Sequence, residues 1–170
     1  MEIFKINQPD YIYIEETLRL RKFDNKYDFA LSWYEDEEIL RLVDGEGAQP
    51  YDSGKLSRMY NYLNEKGELY FIEAKECNEF VPIGDVTFWQ SDMPIVIGNK
   101  NYHGKGIGYK VICSLIERAK KLGYEEIYVN EIYSYNVASE KAFEKAGFKK
   151  YKENSKGASY VLKFYDREFK

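Results

Sequence analysis

Three glycines stand on alternate positions where an apolar-periodic segment begins: Gly104, Gly106 and Gly108, in the stretch YHGKGIGYK. Glycine inside a helix costs roughly 1 kcal/mol relative to alanine, so this run needs a physical reason. One reason is a tight turn, and the other is a ligand that must come close to the main chain. The glycine spacing by itself leaves both interpretations open.

The segment after these glycines has the periodicity of a helix. The spacing predicts a helix over 108–121 that ends at Gly123, with a buried stripe of Ile112, Leu115, Ile116, Ala119 and Leu122. The first N–H groups of a helix have no partner within it, and the helix dipole favours negative charge there. We therefore expect the N–H groups of residues 104–108 to hold a diphosphate, with Lys105 adding positive charge. Tyr109 and Val111 exclude the GxGxxG dinucleotide pattern.

Hydrophobic patterns along the chain predict an α/β fold with a mixed sheet flanked by helices, in the order βααβββαβαββ. A helix capped by Asp24 or Asn25 is expected to carry Phe29, Ala30, Trp33 and Tyr34, and 35–52 reads as an acidic loop with a short helical piece. Asp52 caps the next helix, which Gly67 ends, and Asn136 caps the last helix, which Gly147 ends. The predicted strands are 17–23, 69–74, 81–89, 93–98, 125–133, 148–152 and 159–165.

Composition limits the class of protein. With 170 residues, 44% apolar and 32% charged, the chain is expected to form one soluble domain over 1–170. The N-terminal segment lacks the pattern of a secretory signal, so a cytoplasmic protein is expected. A net charge of −4 argues against nucleic acid as a partner, and no apolar run is long enough for a bilayer. His103 is the only histidine, and Cys77 and Cys113 stand alone, so no metal site is expected.

Two motifs resemble those of one family. Residues 103–108, HGKGIG, resemble the [Q/R]-x-x-G-x-[G/A] loop of the GNAT superfamily, the general-control-related N-acetyltransferases. Residues 136–148 are similar to the family's second motif, N-x-x-[AS]-x-x-[LAF]-[YF]-x-x-x-G-F. The resemblance implies a mostly antiparallel central sheet of about seven strands, acetyl-CoA as donor and an amine as acceptor. His103 stands where the family has glutamine or arginine. Because the family's loop acts mainly through backbone N–H groups, binding should survive.

The resemblance also implies which residues contact the coenzyme. In the family, the strand before the glycine loop separates from the next strand and pairs its backbone with the pantetheine arm. Asn136 is expected to cap its helix and contact the pantetheine, and Ser139 to permit a close approach. The implied coenzyme-binding residues are Ile95, Val96, Ile97, His103, Gly104, Lys105, Gly106, Ile107, Gly108, Asn136, Ser139 and Phe143.

Acetyl transfer requires a hydrogen-bond donor that stabilises the oxyanion and a base that deprotonates the amine. The coenzyme must also be able to leave as a thiolate, with or without an acid to protonate it. The backbone N–H of Val96 or Ile97 is the candidate for polarising the thioester carbonyl. Glu131, in NEIYSYN, resembles the glutamate that acts as base in the ribosomal-protein N-terminal acetyltransferases. By period 2 we expect Glu131 to share an apolar strand face with Val129 and Tyr133, which would raise its pKa.

Some catalytic assignments stay open at this stage. Asp92 and Asp85 are rivals for the base, and a surface glutamate is the structural alternative for Glu131. In the family a tyrosine protonates the departing thiolate, and Phe143 stands at that position here. The proton could instead come from Tyr133, Tyr135 or water, or the thiolate could leave without an acid.

The acceptor is not fixed by the residues. In the family the acceptor pocket is built from the first two helices and the middle strands, so an aromatic and acidic wall is expected to attract a cationic amine. Its candidate residues are Trp33, Tyr34, Asp44, Trp89 and Asp92. A peptide N-terminus, an aminoglycoside, a polyamine or another small amine all fit. A homodimer is the oligomeric state the family suggests. The alternative to an enzyme is a non-catalytic acyl-CoA-binding or regulatory module.

Overall fold

The described residues 6–164 of this computed structural model fold into two antiparallel sheets and four α-helices. The first sheet has the order β1-β2-β3-β4-β5 and the second the order β6-β8-β7. The strands are β1 (Tyr11–Glu15), β2 (Leu18–Lys22), β3 (Glu68–Glu76), β4 (Glu79–Phe88), β5 (Ile95–Ile97), β6 (Glu126–Tyr133), β7 (Lys149–Glu153) and β8 (Gly157–Lys163). The helices are α1 (Glu37–Asp44), α2 (Ser53–Lys66), α3 (Ile107–Lys121) and α4 (Val137–Lys145).

The predicted α/β class with mostly antiparallel pairing is confirmed; the described residues form eight strands where about seven were predicted, and these strands lie in two sheets. The pattern at the start of the chain predicted one strand over 17–23, whereas the structure has two, β1 and β2, joined as a hairpin. The turn at Glu16–Thr17 divides a segment whose alternation continues on both sides, so periodicity alone does not reveal it. The predicted end of the last strand, Tyr165, lies outside the described residues.

Helix caps explain why some boundaries were predictable and one was not. The Asp52 carboxylate accepts from the N–H of Lys55 at 2.8 Å and begins α2, as predicted. The helix predicted at 29–34 is wrong, because this segment forms two 3₁₀ turns, Asp28–Ala30 and Trp33–Glu35. The first regular helix instead starts after Asp36, whose carboxylate accepts from two N–H groups, in the region that the sequence suggested was mainly loop.

Two hydrophobic cores lie on opposite faces of the first sheet. One joins that sheet to α3, α4 and the second sheet, and is represented by Tyr70, Val111 and Phe143. The other lies under α1, α2 and the 3₁₀ turns, and is represented by Tyr34 and Phe71. Alternate residues of β3 contribute to each core, because successive side chains of a strand point to opposite faces. The two faces of the first sheet therefore carry different helices, with α3 and α4 on one face and α1 and α2 on the other.

The two sheets meet at one end and separate at the other. The N–H of Tyr128 in β6 donates to the carbonyl of Gln90 at 2.9 Å, and the Asp92 carboxylate accepts from the N–H of Asn130 at 3.0 Å. Beyond these contacts β5 pairs with β4, and β6 pairs with β8. Among the described residues, no backbone hydrogen bond joins β5 to β6, so a gap opens between them.

The second core contains a buried carboxylate. Asp85 of β4 is 2% exposed and accepts hydrogen bonds from the hydroxyls of Tyr34 at 2.6 Å and Tyr60 at 2.8 Å. Burial raises the pKa of Asp85 to about 6, although both hydroxyl bonds act in the opposite direction. The native state therefore prefers the protonated acid more than the unfolded chain does.

This carboxylate makes stability depend on pH. Because the folded pKa exceeds the unfolded one, the contribution of Asp85 to stability is complete below about pH 4 and is lost as the pH rises through about 6. Relative to Asp85→Asn, the free energy of unfolding of the native protein should fall by roughly 3 kcal/mol between pH 4 and pH 7. Urea denaturation at both pH values measures this. The exposed Asp10→Asn is the matched control, and an equal difference at both pH values would contradict the prediction.

Candidate functional site

The gap between β5 and β6 widens into a groove of about 610 Å³. Its walls come from β5, the glycine loop, the first turns of α3 and α4, the end of β6 and one face of α1. This volume lies within the usual range for small-molecule and cofactor sites. The groove passes between the two sheets, so it connects the α3–α4 side with the α1 side.

The three glycines of the loop serve different purposes. Gly104 and Gly106 have φ of +72° and +74°, in the left-handed region that favours glycine, and Gly106 is the N-cap of α3. Gly108 does not have positive φ, and a Cβ placed there would meet no atom within 4 Å. The turn therefore explains two glycines but not the third. Gly108 leaves open space in front of the first turn of α3.

The main chain of this loop presents free donors to that space. The first bond into α3 runs from the N–H of Lys110 to the carbonyl of Gly106, at 3.3 Å. Within the described part of the chain, the N–H groups of residues 104–109 donate to no protein acceptor. Lys105, Lys141 and Lys145 line the same part of the groove. Free amides, a helix N-terminus and cations together suit a diphosphate, which is the chemistry that the spacing predicted.

His103 attaches the glycine loop to β5. Its side chain is exposed, and its Nε2–H donates to the carbonyl of Ile97 at 2.6 Å. The N–H of His103 also donates to the carbonyl of Lys100. In this position the imidazole fixes the loop, which explains how a residue other than glutamine or arginine is accommodated there.

Strand β5 presents part of its backbone to the groove. The N–H of Thr87 donates to the carbonyl of Pro94 at 3.0 Å, and in an antiparallel pair the hydrogen-bonded positions alternate. Val96, which stands opposite Asp85, therefore pairs with β4. The N–H groups of Ile95 and Ile97 face the other way, toward the gap. The alternation distinguishes the two oxyanion candidates and favours Ile97 over Val96.

Glu131 lines the groove, but not in the expected environment. The register of β6 with β8 shifts between Val129 and Ile132, so a bulge interrupts the alternation. Val129 and Ile132 are buried, whereas Asn130 and Glu131 are both exposed. The prediction that Glu131 shares an apolar face with Val129 is wrong, because one extra residue turns Glu131 to the other side. Periodicity cannot detect such a bulge.

A residue that sequence reasoning missed holds this glutamate. Asn154, in the turn between β7 and β8, donates from Nδ2 to Oε1 of Glu131 at 2.8 Å. Its Oδ1 accepts from the N–H groups of Lys156 at 2.8 Å and Gly157 at 3.0 Å. These two bonds determine which end of the amide is oxygen, so the NH₂ group must face Glu131. Only tertiary structure brings this turn to β6.

Asp92 and Asp85, the two alternatives to Glu131 as the base, differ in whether their carboxylates reach the groove. Asp92 lines the groove at the point where the sheets meet, and its Oδ1 accepts from the N–H groups of Met93 and Asn130. Burial raises the pKa of Asp92, against the effect of those bonds. Asp85 lies in the second core beneath Tyr34 and Tyr60 and does not line the groove.

Aromatic side chains on and after β6 form the far end of the groove. Tyr133 lines the groove and stacks on Tyr135, with ring centroids 5.5 Å apart. Burial, followed by the charges of Glu131 and Asp44, raises the pKa of Tyr133. Phe143 lines the groove, is 2% exposed and packs edge-on against Phe148, with ring centroids 5.2 Å apart.

Asn136 and Ser139 occupy the start of α4. The Asn136 Oδ1 accepts from the N–H of Ser139 at 3.3 Å, so the predicted capping role of Asn136 is confirmed. Both residues line the groove, as do Ile95, Val96, Ile97 and the residues of the glycine loop. The coenzyme-binding set predicted from the motifs is thus brought together in one place.

The wall expected to bind the acceptor is arranged differently. Trp33 and Tyr34 are buried in the second core, where Trp33 packs so closely on Gly98 that a Cβ there would lie 2.2 Å from the indole. Asp44 is exposed and accepts from the Tyr51 hydroxyl at 2.7 Å. Of the five predicted residues, only Asp92 lines the groove. The wall comes instead from Ile39, Leu42 and Val43 of α1, where the sequence suggested mainly loop.

Two further observations bear on the type of protein. Among residues 6–164, no helix is long and apolar enough to cross a membrane. The same residues contain no group of three or more histidine, cysteine, aspartate or glutamate side chains placed to hold a metal ion.

Several solved structures with this fold are acetyltransferases. An acetyltransferase of the GNAT family from Bacillus anthracis has a TM-score of 0.71 and 16% identity, covering 90% of this chain and 98% of its own. AAC(6')-Ib in complex with paromomycin and acetyl-CoA has a TM-score of 0.71 and 16% identity, covering 91% and 99%.

A third solved structure is similar over the same extent. The Salmonella typhimurium enzyme that modifies the N-terminal serine of ribosomal protein L7/L12 has a TM-score of 0.67 and 15% identity, covering 91% and 99%. No curated protein matches the sequence significantly.

The family model of the acetyltransferase (GNAT) domain matches residues 17–149, which is most of the chain. The groove, the glycine loop and the asparagine-capped helix of this structure lie within that range. Members of this family are acetyl-CoA-dependent N-acetyltransferases, so the enzyme class and co-substrate predicted from the two motifs are confirmed. The chain belongs to the GNAT family of N-acetyltransferases.

Proposed function

We propose that this protein transfers the acetyl group of acetyl-CoA to a primary amine by direct attack while both substrates are bound. The observation that carries the proposal is the groove that runs from the free amides of residues 104–109, past the open edge of β5, to the carboxylate of Glu131. A diphosphate, a thioester arm and an amine can occupy those three parts in that order. We expect the acetylation to take place in the cytoplasm.

The residues around the groove fit the coenzyme. The N–H groups of residues 104–109 would hold its diphosphate, and Gly108 leaves the space that a Cβ would fill. The open edge of β5 at Ile95 and Ile97 would pair with the pantetheine arm, beside Asn136 and Ser139. When bound, acetyl-CoA supplies an acetyl thioester, which an amine can attack. The N–H of Ile97 is our candidate for stabilising negative charge on the carbonyl oxygen.

Glu131 is the proposed base. A primary amine is mainly a cation near neutral pH, so it must lose a proton before it attacks. Glu131 is exposed to the groove and has one oxygen, Oε1, held by Asn154. The second oxygen, Oε2, is left to accept the proton, directly or through water. Asp92 is the less accessible rival, because it is half-buried and its Oδ1 already accepts two backbone bonds.

We propose that the departing thiolate is protonated by a residue other than the family's usual tyrosine. Phe143 has no proton to give and is buried against Phe148. Tyr102, Tyr109 and Tyr133 all line the groove, and Tyr133 is the one on β6, close enough to Glu131 for that charge to affect its pKa. Its raised pKa keeps Tyr133 protonated at neutral pH. We propose Tyr133 as the donor to the departing sulfur.

A non-catalytic acyl-CoA-binding module is the alternative function. It is favoured by the replacement of the family's tyrosine by Phe143. Incubation with acetyl-CoA and a panel of amines, while free thiol is measured, separates the two functions. Transfer predicts thiol release that depends on the amine, whereas a binding module predicts coenzyme A binding in calorimetry without thiol release. The absence of both would exclude both functions.

The proposed base leads to a mutational prediction. Glu131→Gln should lower kcat about 10²- to 10⁴-fold with little change in the KM for acetyl-CoA, because general-base catalysis is lost while the coenzyme half is intact. Steady-state kinetics at saturating amine measure this. A change confined to KM would contradict a role as base.

The contact between Asn154 and Glu131 gives a separate prediction. Asn154→Asp keeps the acceptor that forms the turn but replaces the donated hydrogen bond with repulsion, so kcat should fall about tenfold or more. In a Glu131→Gln background the same change should have little further effect. Full additivity of the two changes would show that Asn154 acts elsewhere.

Gly108 gives a prediction that distinguishes ligand space from turn geometry. Gly108→Ala should stabilise the free protein by up to about 1 kcal/mol, because alanine is favoured in a helix and the new methyl meets no atom. The same methyl should weaken coenzyme A binding. Thermal denaturation and calorimetry measure the two effects. Gly106→Ala is the control and should destabilise the free protein, since Gly106 has positive φ.

A further inference from the structure

The α1 side of the groove has an apolar wall. The α1 residues that line the groove, Ile39, Leu42 and Val43, follow i, i+3, i+4 spacing and form one stripe. Helix α1 packs in the second core, on the face of the first sheet opposite α3 and α4. Because the glycine loop begins α3, the apolar stripe lies on the side that is left for the acceptor.

Three of the four charged residues of α1 have partners away from this stripe. Glu38 pairs with Lys100 at 2.9 Å, and Arg41 pairs with Glu46 at 2.7 Å. Asp44 accepts from the Tyr51 hydroxyl. None of these α1 residues lines the groove. The polar surface of α1 therefore contributes nothing to the wall, although the sequence of this region is rich in acidic residues.

Contacts with the β6–α4 connection fix the wall relative to the proposed base. The Tyr135 hydroxyl donates to the carbonyl of Arg41 at 2.6 Å, and the Arg41 guanidinium lies 4.1 Å from the Tyr135 ring centroid. Tyr133, stacked on Tyr135, packs against the backbone of Gly45 just after α1. The stripe and Glu131 thus face the groove from two elements that are bonded to each other.

Charge divides the groove in two. The lysines that line it, Lys105, Lys141 and Lys145, lie on the glycine loop and α4. The carboxylates that line it are Asp92 and Glu131, and within the described residues neither has an ion-pair partner. An ammonium group is therefore favoured beside these carboxylates, and the surface beyond it is the apolar stripe.

From this arrangement we infer that the acceptor is a monoamine whose amino group is carried by an apolar, aliphatic chain. The inference rests on the proposed function and specifies its substrate class. The chain would cover Ile39, Leu42 and Val43 while the amine meets Glu131. A polyamine or an aminoglycoside would place a second ammonium or hydroxyls against the stripe, where no partner replaces their water.

The series of n-alkylamines from methylamine to butylamine tests this directly. These amines differ in apolar length while the reacting group stays the same. With acetyl-CoA saturating, kcat/KM from thiol release should rise about fourfold per methylene, or about 60-fold across the series. Butylamine should exceed 1,4-diaminobutane, spermidine and kanamycin by about tenfold or more.

Matched variants locate the effect on α1. Leu42→Asn keeps the branching of the side chain but replaces its two methyl groups with polar atoms, and should reduce the dependence on chain length to less than about twofold per methylene. Leu63→Asn makes the same change on a half-buried leucine of α2 that does not line the groove, and should leave the dependence intact. The alkylamine series with the native protein does not depend on either variant folding.

The outcomes separate this inference from the proposed function. Thiol release with equal kcat/KM along the series, or a preference for the polyamine or kanamycin, would overturn the apolar acceptor while leaving acetyl transfer established. No amine-dependent thiol release with any of these compounds would overturn both. A length dependence that Leu63→Asn removes as strongly as Leu42→Asn would also overturn it, because the stripe would not be its cause.

Discussion

The separation of β5 from β6 is the constraint on which the site depends. At their near ends the N–H of Tyr128 bonds to the carbonyl of Gln90, and the Asp92 carboxylate accepts from Asn130. Asp92 thus substitutes a side-chain acceptor for the next bond of a strand ladder. Beyond it the edge of β5 stays unpaired, and unpaired N–H groups are costly unless water or a ligand satisfies them. A site for an extended, amide-bearing arm follows from that geometry.

The two cores support the two parts of the groove that we propose for the two substrates. The core under α3 and α4 supports the glycine loop and the lysines, and so carries the half of the groove that we propose for the coenzyme. The core under α1 and α2 absorbs much of the aromatic content of the first part of the chain, including Trp33, Tyr34 and Tyr60. The hydroxyls of Tyr34 and Tyr60 donate to the buried Asp85 carboxylate. Helix α1 covers that core, and the side of α1 that lines the groove is apolar as well.

Side chains that are distant in sequence position the groups around the groove, including the proposed base. Asn154 comes from the β7–β8 turn and holds Glu131 of β6. His103 holds the end of β5 through the carbonyl of Ile97, and Tyr135 holds α1 through the carbonyl of Arg41. His103 and Tyr135 each satisfy a backbone carbonyl that strand or helix bonding leaves free, whereas Asn154 bonds a side-chain carboxylate. The geometry of the site therefore depends on three side-chain contacts between separate elements.

Local signals in the sequence determined the coenzyme half of this protein. Glycine spacing, the Asn136 cap and the periodicity of α3 are short-range features, because caps and turns are set by residues within a few positions of each other. They predicted the order of elements from α2 to β8, the glycine turn that begins α3 and the family resemblance.

Tertiary structure alone decided the half of the groove that we propose for the acceptor. The bulge that turns Glu131 outward, the contact with Asn154 and the burial of Trp33 and Tyr34 arise from packing between distant segments, and no local pattern encodes them. The physical reason is that the face a side chain presents depends on its neighbours across the sheet, and one inserted residue reverses that face.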